Sequence, residues 1–306
     1  MLKVAVVGAT GYSGVELVRL LRNHPNVKIC KTISGSHQGQ FLTDSYGHLY
    51  GLEQSYLEPF DPQELAREVD LVFFATPAGV SSTMIPQLID AKVKCIDLSG
   101  NFRISNPLTY EQWYQLPAPE ATYLNQAVYG LSEINAKDIT NASLIANPGC
   151  YPTATLLGII PALHGGIIHP EQIVIDGKSG VSGAGRKAAL NTSYAEVNEN
   201  LSAYKVGKHQ HIPEIEQALG KTMGTEIRVS FTTHLVPMTR GMMCSIYTRL
   251  KQPYTTEDVV QYYQDFYARE PFVRVRPAGN LPRTKEVIGS NYCDLGFVVD
   301  ERTNSL

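Results

Sequence analysis

The first fourteen residues constrain the architecture of this chain more than any other stretch. An apolar run over 3–7, Lys3-Val4-Ala5-Val6-Val7, ends in Gly8-Ala9-Thr10-Gly11-Tyr12-Ser13-Gly14, and an amphipathic stretch over 13–23 follows. Strand, glycine turn and helix in that order open a parallel sheet with helical crossovers. Glycines spaced G-x-x-G-x-x-G permit a tight turn and close backbone approach, and the amides at the helix start suit a pyrophosphate. Gly8, Thr10, Gly11, Tyr12, Ser13 and Gly14 are therefore the expected dinucleotide cradle.

The same rhythm continues through the first half. Apolar runs over 27–33, 71–75, 94–98 and 143–146 read as buried strands, and 62–68 and 80–91 read as helices between them, with Ser81-Ser82 at the expected N-cap of the latter. After Cys150 the pattern changes to a helix over 153–163, strands over 172–176, 226–234 and 241–249 with roughly alternating polarity, and an amphipathic helix over 254–268 whose aromatics read as core. With 306 residues, about two domains are expected. The reading is an α/β, doubly wound parallel-sheet Rossmann domain over 1–148, followed by an α+β domain over 149–306 with a mixed or antiparallel sheet.

Composition narrows the function. A net charge of −3 gives no basic footprint for nucleic acid or an anionic membrane, and no apolar run reaches the ~20 residues that span a bilayer. The start runs straight into a strand with no signal-peptide pattern, and the five cysteines are odd in number and lack any C-x-x-C pair. Reduced thiols in a cytoplasmic enzyme acting on small molecules are expected, with no metal.

The cofactor type follows from the end of the second strand. No acidic residue stands there to accept a ribose 2′-hydroxyl. Ser34-Gly35-Ser36-His37 follows Ile33, and the neutral donors Ser34 and Ser36 tolerate a 2′-phosphate, which favours NADP. Ala75, Thr76 and Pro77, at the carboxyl end of the 71–75 strand, are the expected nicotinamide-side contacts.

Asn147-Pro148-Gly149-Cys150-Tyr151-Pro152-Thr153 places a thiol after a strand and a Pro-Gly turn, directly before a helix. The positive end of the helix dipole favours the thiolate, so Cys150 is the expected nucleophile, its preceding glycine permitting a strained turn. Cys30, Cys95, Cys244 and Cys293, beside or inside apolar strands, read as small hydrophobes. A proton partner is expected in Lys208-His209-Gln210-His211-Ile212-Pro213-Glu214, with His211 as acid/base and Glu214 holding its tautomer. On a strand the i, i+2 histidines would face opposite ways, which argues against zinc. Arg103, Arg186 and Arg240 are candidate forks for an anionic substrate. The Ser/Gly-rich loop over 179–185 reads as a flexible ligand cradle.

With these motifs assembled, the chain resembles the N-acetyl-gamma-glutamyl-phosphate reductases, of the aspartate-semialdehyde dehydrogenase superfamily, along nearly its whole length. The resemblance rests on the glycine loop, the Cys150 run, the 179–185 loop, His209-Gln210-His211-Ile212-Pro213-Glu214-Ile215 and His234-Leu235-Val236-Pro237-Met238-Thr239-Arg240-Gly241. It implies NADPH-dependent reduction of an acyl phosphate to an aldehyde and phosphate through a Cys150 thioester, with one of His209 and His211 as acid/base and the other, here His209, at the substrate. It also implies that Ser179 and Gly180 serve the cofactor, that Arg103, Asn147, Ser182, Arg186 and Arg240 serve the substrate, and that the chain forms a homodimer or homotetramer. Two departures stand out: the family's basic residue after the second strand is replaced by the 34–37 stretch, and its D-N-L-x-K-G-A-A segment returning to the cofactor domain does not follow Leu306. The competing readings are an aspartate-semialdehyde dehydrogenase and a non-catalytic NADPH-binding protein.

Overall fold

Seven parallel strands form the sheet of the N-terminal unit in the order β3-β2-β1-β4-β5-β7-β6. They are β1 (Leu2–Val7), β2 (Val27–Ile33), β3 (Leu57–Glu58), β4 (Leu71–Phe74), β5 (Lys94–Asp97), β6 (Ala127–Tyr129) and β7 (Leu144–Ala146). The computed structural model describes residues 1–51 and 55–306, and the chain divides into two compact units, Met1–Pro148 and Gly149–Leu306.

Both faces of this sheet are covered, which is why its central strands carry apolar runs over 4–7 in β1 and over Leu71–Phe74 in β4. Val6, with Val15 and Val18 of the Tyr12–Arg22 helix, packs on one face, and Ala5, Val7, Val72 and Phe74 pack on the other against Leu65, Ile85 and Leu88. The strand order reverses direction between β1 and β4, so the loops after these two strands meet at the carboxyl edge. That is the crevice in which open α/β sheets bind ligands. The edge strand β3 and the short β6 lay outside the sequence reading.

The serines at the start of the Ser81–Asp90 helix do not cap it. Its N-cap is Val80, while Ser81 Oγ donates to the buried Asp97 Oδ1 at 2.9 Å and Ser82 Oγ donates to the Gly79 carbonyl at 2.9 Å. The buried carboxylate claims the hydroxyl that local sequence assigned to the helix end.

The C-terminal unit holds a four-stranded sheet in the order β11-β8-β10-β9, from β8 (Val174–Ser179), β9 (Ser202–Tyr204), β10 (Ser230–Leu235) and β11 (Met242–Tyr247). It is mixed: β10 runs parallel to β8, whereas β11 and β9 are antiparallel to their neighbours. Strand β8 continues past the residues read as strand, through Gly177. A Cβ at Gly177 would lie 2.5 Å from Tyr151 Cε1, so the glycine makes room for a ring and does not end the strand. The Thr256–Phe266 helix buries Val259 and Tyr263, the core role expected of its apolar face.

Candidate active site

In the N-terminal unit the glycine loop is built by close backbone packing. Gly8 has φ +83, and a Cβ there would lie 2.4 Å from the Ala75 carbonyl oxygen; a Cβ at Gly14 would lie 2.2 Å from the Gly8 carbonyl oxygen. The helix that follows starts at Tyr12 with no side-chain cap and no acidic residue in its first turn. The helix-end amides of Tyr12, Ser13 and Gly14 therefore meet no built-in anion, and the loop fits a pyrophosphate. Because its Cβ would meet backbone, Gly14→Ala is expected to cost roughly 1–3 kcal/mol of stability and to weaken dinucleotide binding, read by thermal unfolding and by nucleotide fluorescence titration.

Around the loop, Thr10 Oγ1 lies 3.2 Å from Ser34 Oγ, and Ser36 Oγ lies 2.8 Å from His37 Nδ1. The turn at Ala75-Thr76-Pro77 begins with the Ala75 amide donating to the Val7 carbonyl at 2.8 Å. It is held further on by residues that the sequence reading missed. Asn101 Oδ1 accepts from the Gly79 amide at 2.8 Å and from the Tyr110 hydroxyl at 2.7 Å, and Asn101 Nδ2 donates to Ser81 Oγ at 2.7 Å. Asp97 closes this network. Burial pushes its carboxyl above the usual range, while hydrogen bonds from Ser99 and Ser81 and the charge of Arg103 pull it back.

Arg103 is buried, with Nε donating to the Asn147 carbonyl at 2.7 Å and one Nη donating to the Leu98 carbonyl at 2.7 Å. The Asn147 amide in turn donates to the Asp97 carbonyl at 2.8 Å. Much of the guanidinium thus holds the backbone that leads toward the Cys150 turn.

In the C-terminal unit the helix runs from Cys150 to His164, starting three residues earlier than the sequence suggests. Cys150 is its first residue, and of the five cysteines it alone is exposed. Cys95 is fully buried and the other three are half-buried. The N-cap is Gly149, with φ −67 and ψ 161. That backbone is unstrained, so turn strain does not explain the glycine. A Cβ at position 149 would lie 2.4 Å from His211 Nε2, 2.8 Å from Cε1 and 2.9 Å from Cδ2. The imidazole of His211 lies flat against the residue that precedes the nucleophile, and only a residue without a side chain leaves it room.

His211 opens the His211–Met223 helix, and Glu214, one turn on, is fully buried. Its Oε1 accepts from the Gly149 amide at 2.7 Å. One turn of helix therefore delivers an imidazole and a carboxylate to the same glycine.

The two histidines do not face opposite ways. Their ring centroids are 4.7 Å apart, because 209–211 forms the entry to a helix and not a strand. The His211 amide, the first of the helix, donates to His209 Nδ1 at 3.1 Å, so that ring nitrogen serves as an acceptor, while Gln210 holds the N-cap position. Tyr151, Tyr204 and Phe231 meet the His209 ring edge-on. Burial, then His211 and then Lys205, push His209 down to about 3. Since this lies below the ~6.5 of a free imidazole, the unfolded chain binds its proton first as the pH falls. The stability tied to neutral His209 is complete above pH ~6.5 and is lost progressively from there toward pH 3. Urea unfolding at pH 7 and pH 5 is expected to show this loss, and to show less of it in His209→Gln. Among the described residues no group of three or more His, Cys, Asp or Glu is placed to hold a metal.

The 179–185 segment is pinned where a flexible cradle was expected. The Gly180, Val181 and Ser182 amides donate to the carbonyls of Gly241, Met238 and Thr239, and Val181–Ala184 forms a 3-10 turn. A Cβ at Gly180 would lie 2.8 Å from the Met238 carbonyl oxygen, and Ser179 Oγ donates to the Gly180 carbonyl. Arg186 and Arg240 are exposed and Ser182 is half-buried.

A parallel α/β unit with an open glycine cradle, followed by a unit presenting an exposed thiol at a helix start beside an imidazole, defines a nicotinamide-dependent dehydrogenase that works through cysteine. Comparison with known proteins agrees: residues 3–142 match the semialdehyde dehydrogenase NAD binding domain and residues 150–306 the semialdehyde dehydrogenase dimerisation domain. The chain belongs to the N-acetyl-gamma-glutamyl-phosphate reductase family within the semialdehyde dehydrogenases. It is 51% identical to the N-acetyl-gamma-glutamyl-phosphate reductase of Geobacillus thermodenitrificans over 302 residues, covering 99% of this chain and 88% of that protein. With the Bacillus subtilis reductase the identity is 48% over 303 residues, with the same coverages. Among solved structures, aspartate semialdehyde dehydrogenase II from Vibrio cholerae shares the fold at a TM-score of 0.72 and 17% identity, covering 100% of this chain and 90% of that one. The Candida albicans aspartate semialdehyde dehydrogenase with NADP aligns at a TM-score of 0.66 and 17% identity, covering 93% and 85%. No helix among the described residues is long and apolar enough to cross a membrane.

Proposed function

We propose that this chain reduces N-acetyl-gamma-glutamyl phosphate to N-acetylglutamate 5-semialdehyde with release of phosphate, using NADPH, as a cytoplasmic homo-oligomer in arginine biosynthesis. The observation that carries the reading is the exposed Cys150 at the first position of its helix, with the His211 imidazole against Gly149. The 1–148 domain is assigned to the dinucleotide, and the 149–306 domain to chemistry and to self-association.

The sulfur of Cys150 attacks the acyl carbon and the C–O bond to phosphate breaks, leaving a thioester on the enzyme. The amides at the helix start favour the negative charge on sulfur before attack. When bound, the dinucleotide supplies the hydride that reduces the thioester carbon. Collapse of the resulting thiohemiacetal expels the thiolate and frees the aldehyde, with His211 giving and taking the protons. Glu214, through the Gly149 amide, fixes the glycine against which His211 rests. His209 accepts from the His211 amide at the start of the helix that carries His211, which supports a positioning role for it. Arginines that stay open to solvent, Arg186 and Arg240, serve the anionic substrate, and Arg103 acts mainly by holding Asn147.

The test runs the reaction in reverse, following absorbance at 340 nm with NADP, phosphate and either N-acetylglutamate semialdehyde or aspartate semialdehyde. Phosphate-dependent reduction of NADP with the first aldehyde is expected. Faster turnover of aspartate semialdehyde, or none with either, would overturn the reading.

A further inference from the structure

The short excursion between β2 and β3 carries an inference about what holds the glycine loop in its binding shape, resting on the proposed assignment of that loop to the dinucleotide. A helical turn, Leu42–Ser45, is followed there by a 3-10 turn, Gly47–Leu49. Both pack on the face of the sheet that carries the Tyr12–Arg22 helix, since Leu42 and Leu49 are buried with Val6, Ala9, Val15 and Val18. Tyr46 stands between the two turns. Its amide donates to the Leu42 and Thr43 carbonyls, its carbonyl accepts from the Leu49 amide, and its side chain packs against the same apolar cluster. Phenylalanine would do all of this equally well. The hydroxyl makes a different contact: it donates to the Thr10 carbonyl oxygen at 2.9 Å, 36 residues earlier in the chain.

The consequence lies in the geometry of one peptide. The Thr10–Gly11 peptide is planar, and it is pinned at both ends: the Gly11 amide donates to the Gly8 carbonyl at 3.0 Å, and the Thr10 carbonyl receives the Tyr46 hydroxyl. Fixing that plane fixes the course of the chain just before the helix-start amides of Tyr12, Ser13 and Gly14. Packing does not achieve this unaided. Around Gly8 and Gly14 backbone is pressed against backbone, whereas a Cβ at Gly11 would lie 3.4 Å from the Gly8 carbonyl oxygen and 3.7 Å from that of Ala75, which are ordinary contact distances.

We propose that Tyr46 is a positioning residue for dinucleotide binding: its hydroxyl, by holding the Thr10 carbonyl, keeps the loop amides set for the pyrophosphate before the cofactor arrives. A loop that samples other arrangements binds with an affinity lowered by the fraction of time it spends out of shape. One hydrogen bond of ordinary net strength corresponds to a change of about fivefold. The effect falls on cofactor affinity and not on the chemical step, because a seated dinucleotide itself holds the amides that bind it.

The experiment compares the full chain with its Tyr46→Phe variant, which keeps the ring and removes only the hydroxyl. Fluorescence titration gives the dissociation constant for NADPH, and the reverse reaction gives kcat together with KM for NADP, for the semialdehyde and for phosphate. Expected in Tyr46→Phe are rises of about fivefold in the NADPH dissociation constant and in KM for NADP, with kcat and the other two KM values within about twofold of wild type. A change in NADPH affinity below about twofold overturns the proposal. So does a rise in all three KM values together, which would mean general damage to the fold. Gly14→Ala separates the inference from the assignment beneath it. If Gly14→Ala weakens NADPH binding and Tyr46→Phe does not, the loop binds the dinucleotide without help from the phenol; if neither variant weakens it, the loop is not the cradle and both readings fall. A chain inactive on the semialdehyde that still shows the fivefold loss of NADPH affinity would overturn the proposed reaction and leave the inference standing.

Discussion

Replacing Cys150 with alanine is expected to lower turnover by at least ~10³-fold, because Cys150 is the one exposed thiol of the five and the proposed thioester forms on it. The side chain is exposed, so its loss removes no core contact and opens no cavity. Thermal stability and dinucleotide affinity should stay at wild-type values. Steady-state rates in the semialdehyde assay measure the first, and unfolding curves with nucleotide titration measure the others. Turnover surviving in Cys150→Ala would remove the thioester from the mechanism. Cys244 is a poor substitute, since burial raises its thiol far above the neutral range.

Cys150 was legible from sequence because everything that marks it is local: a strand, a turn and a helix start within a few residues. The parallel sheet was legible for a related reason. The 4–7 stretch of β1 and the Leu71–Phe74 strand β4 are covered on both faces and apolar throughout, which leaves an unambiguous run. Strands β3, β6 and β9 escaped because two or three residues carry no periodicity, and their pairing is decided by neighbours far along the chain. The 172–176 strand was cut short at Gly177, where a glycine that reads locally as a breaker accommodates the Tyr151 ring.

The same distinction runs through the site. The motif containing His209, His211 and Glu214 could be found by residue type, but its geometry could not. Reading 209–211 as strand put the rings on opposite faces; the helix that begins at His211 brings them within 4.7 Å and sets His209 Nδ1 against the first helical amide. The Asp97-Ser81-Asn101-Tyr110 network left no signal, since buried hydroxyls and amides look the same in sequence as those on the surface. Arg103 was noticed for its charge, yet its Nε and one Nη bond to backbone carbonyls.

Gly149→Ala gives the second large effect, and it tests the contact that sequence could not reveal. The backbone at 149 suits alanine as well as glycine, so a purely conformational view predicts little change or slight stabilisation. The packing predicts the opposite, since the new Cβ would overlap the imidazole of His211 at 2.4 Å from Nε2. Either the ring swings away or the Cys150 turn moves, and the buried hydrogen bond from the Gly149 amide to Glu214 is strained in both cases. Overpacking of this kind costs roughly 1–3 kcal/mol, and a displacement near 1 Å at a reacting group costs about 10²-fold in rate. Activity should therefore fall about a hundredfold with Cys150 still present and still exposed. Iodoacetamide labelling near neutral pH would separate the two responses: if labelling persists at the wild-type rate while turnover falls, the damage lies at His211 and the imidazole is the proton carrier. If turnover is unchanged, His211 does not depend on this contact and its role in the reaction must be reassigned.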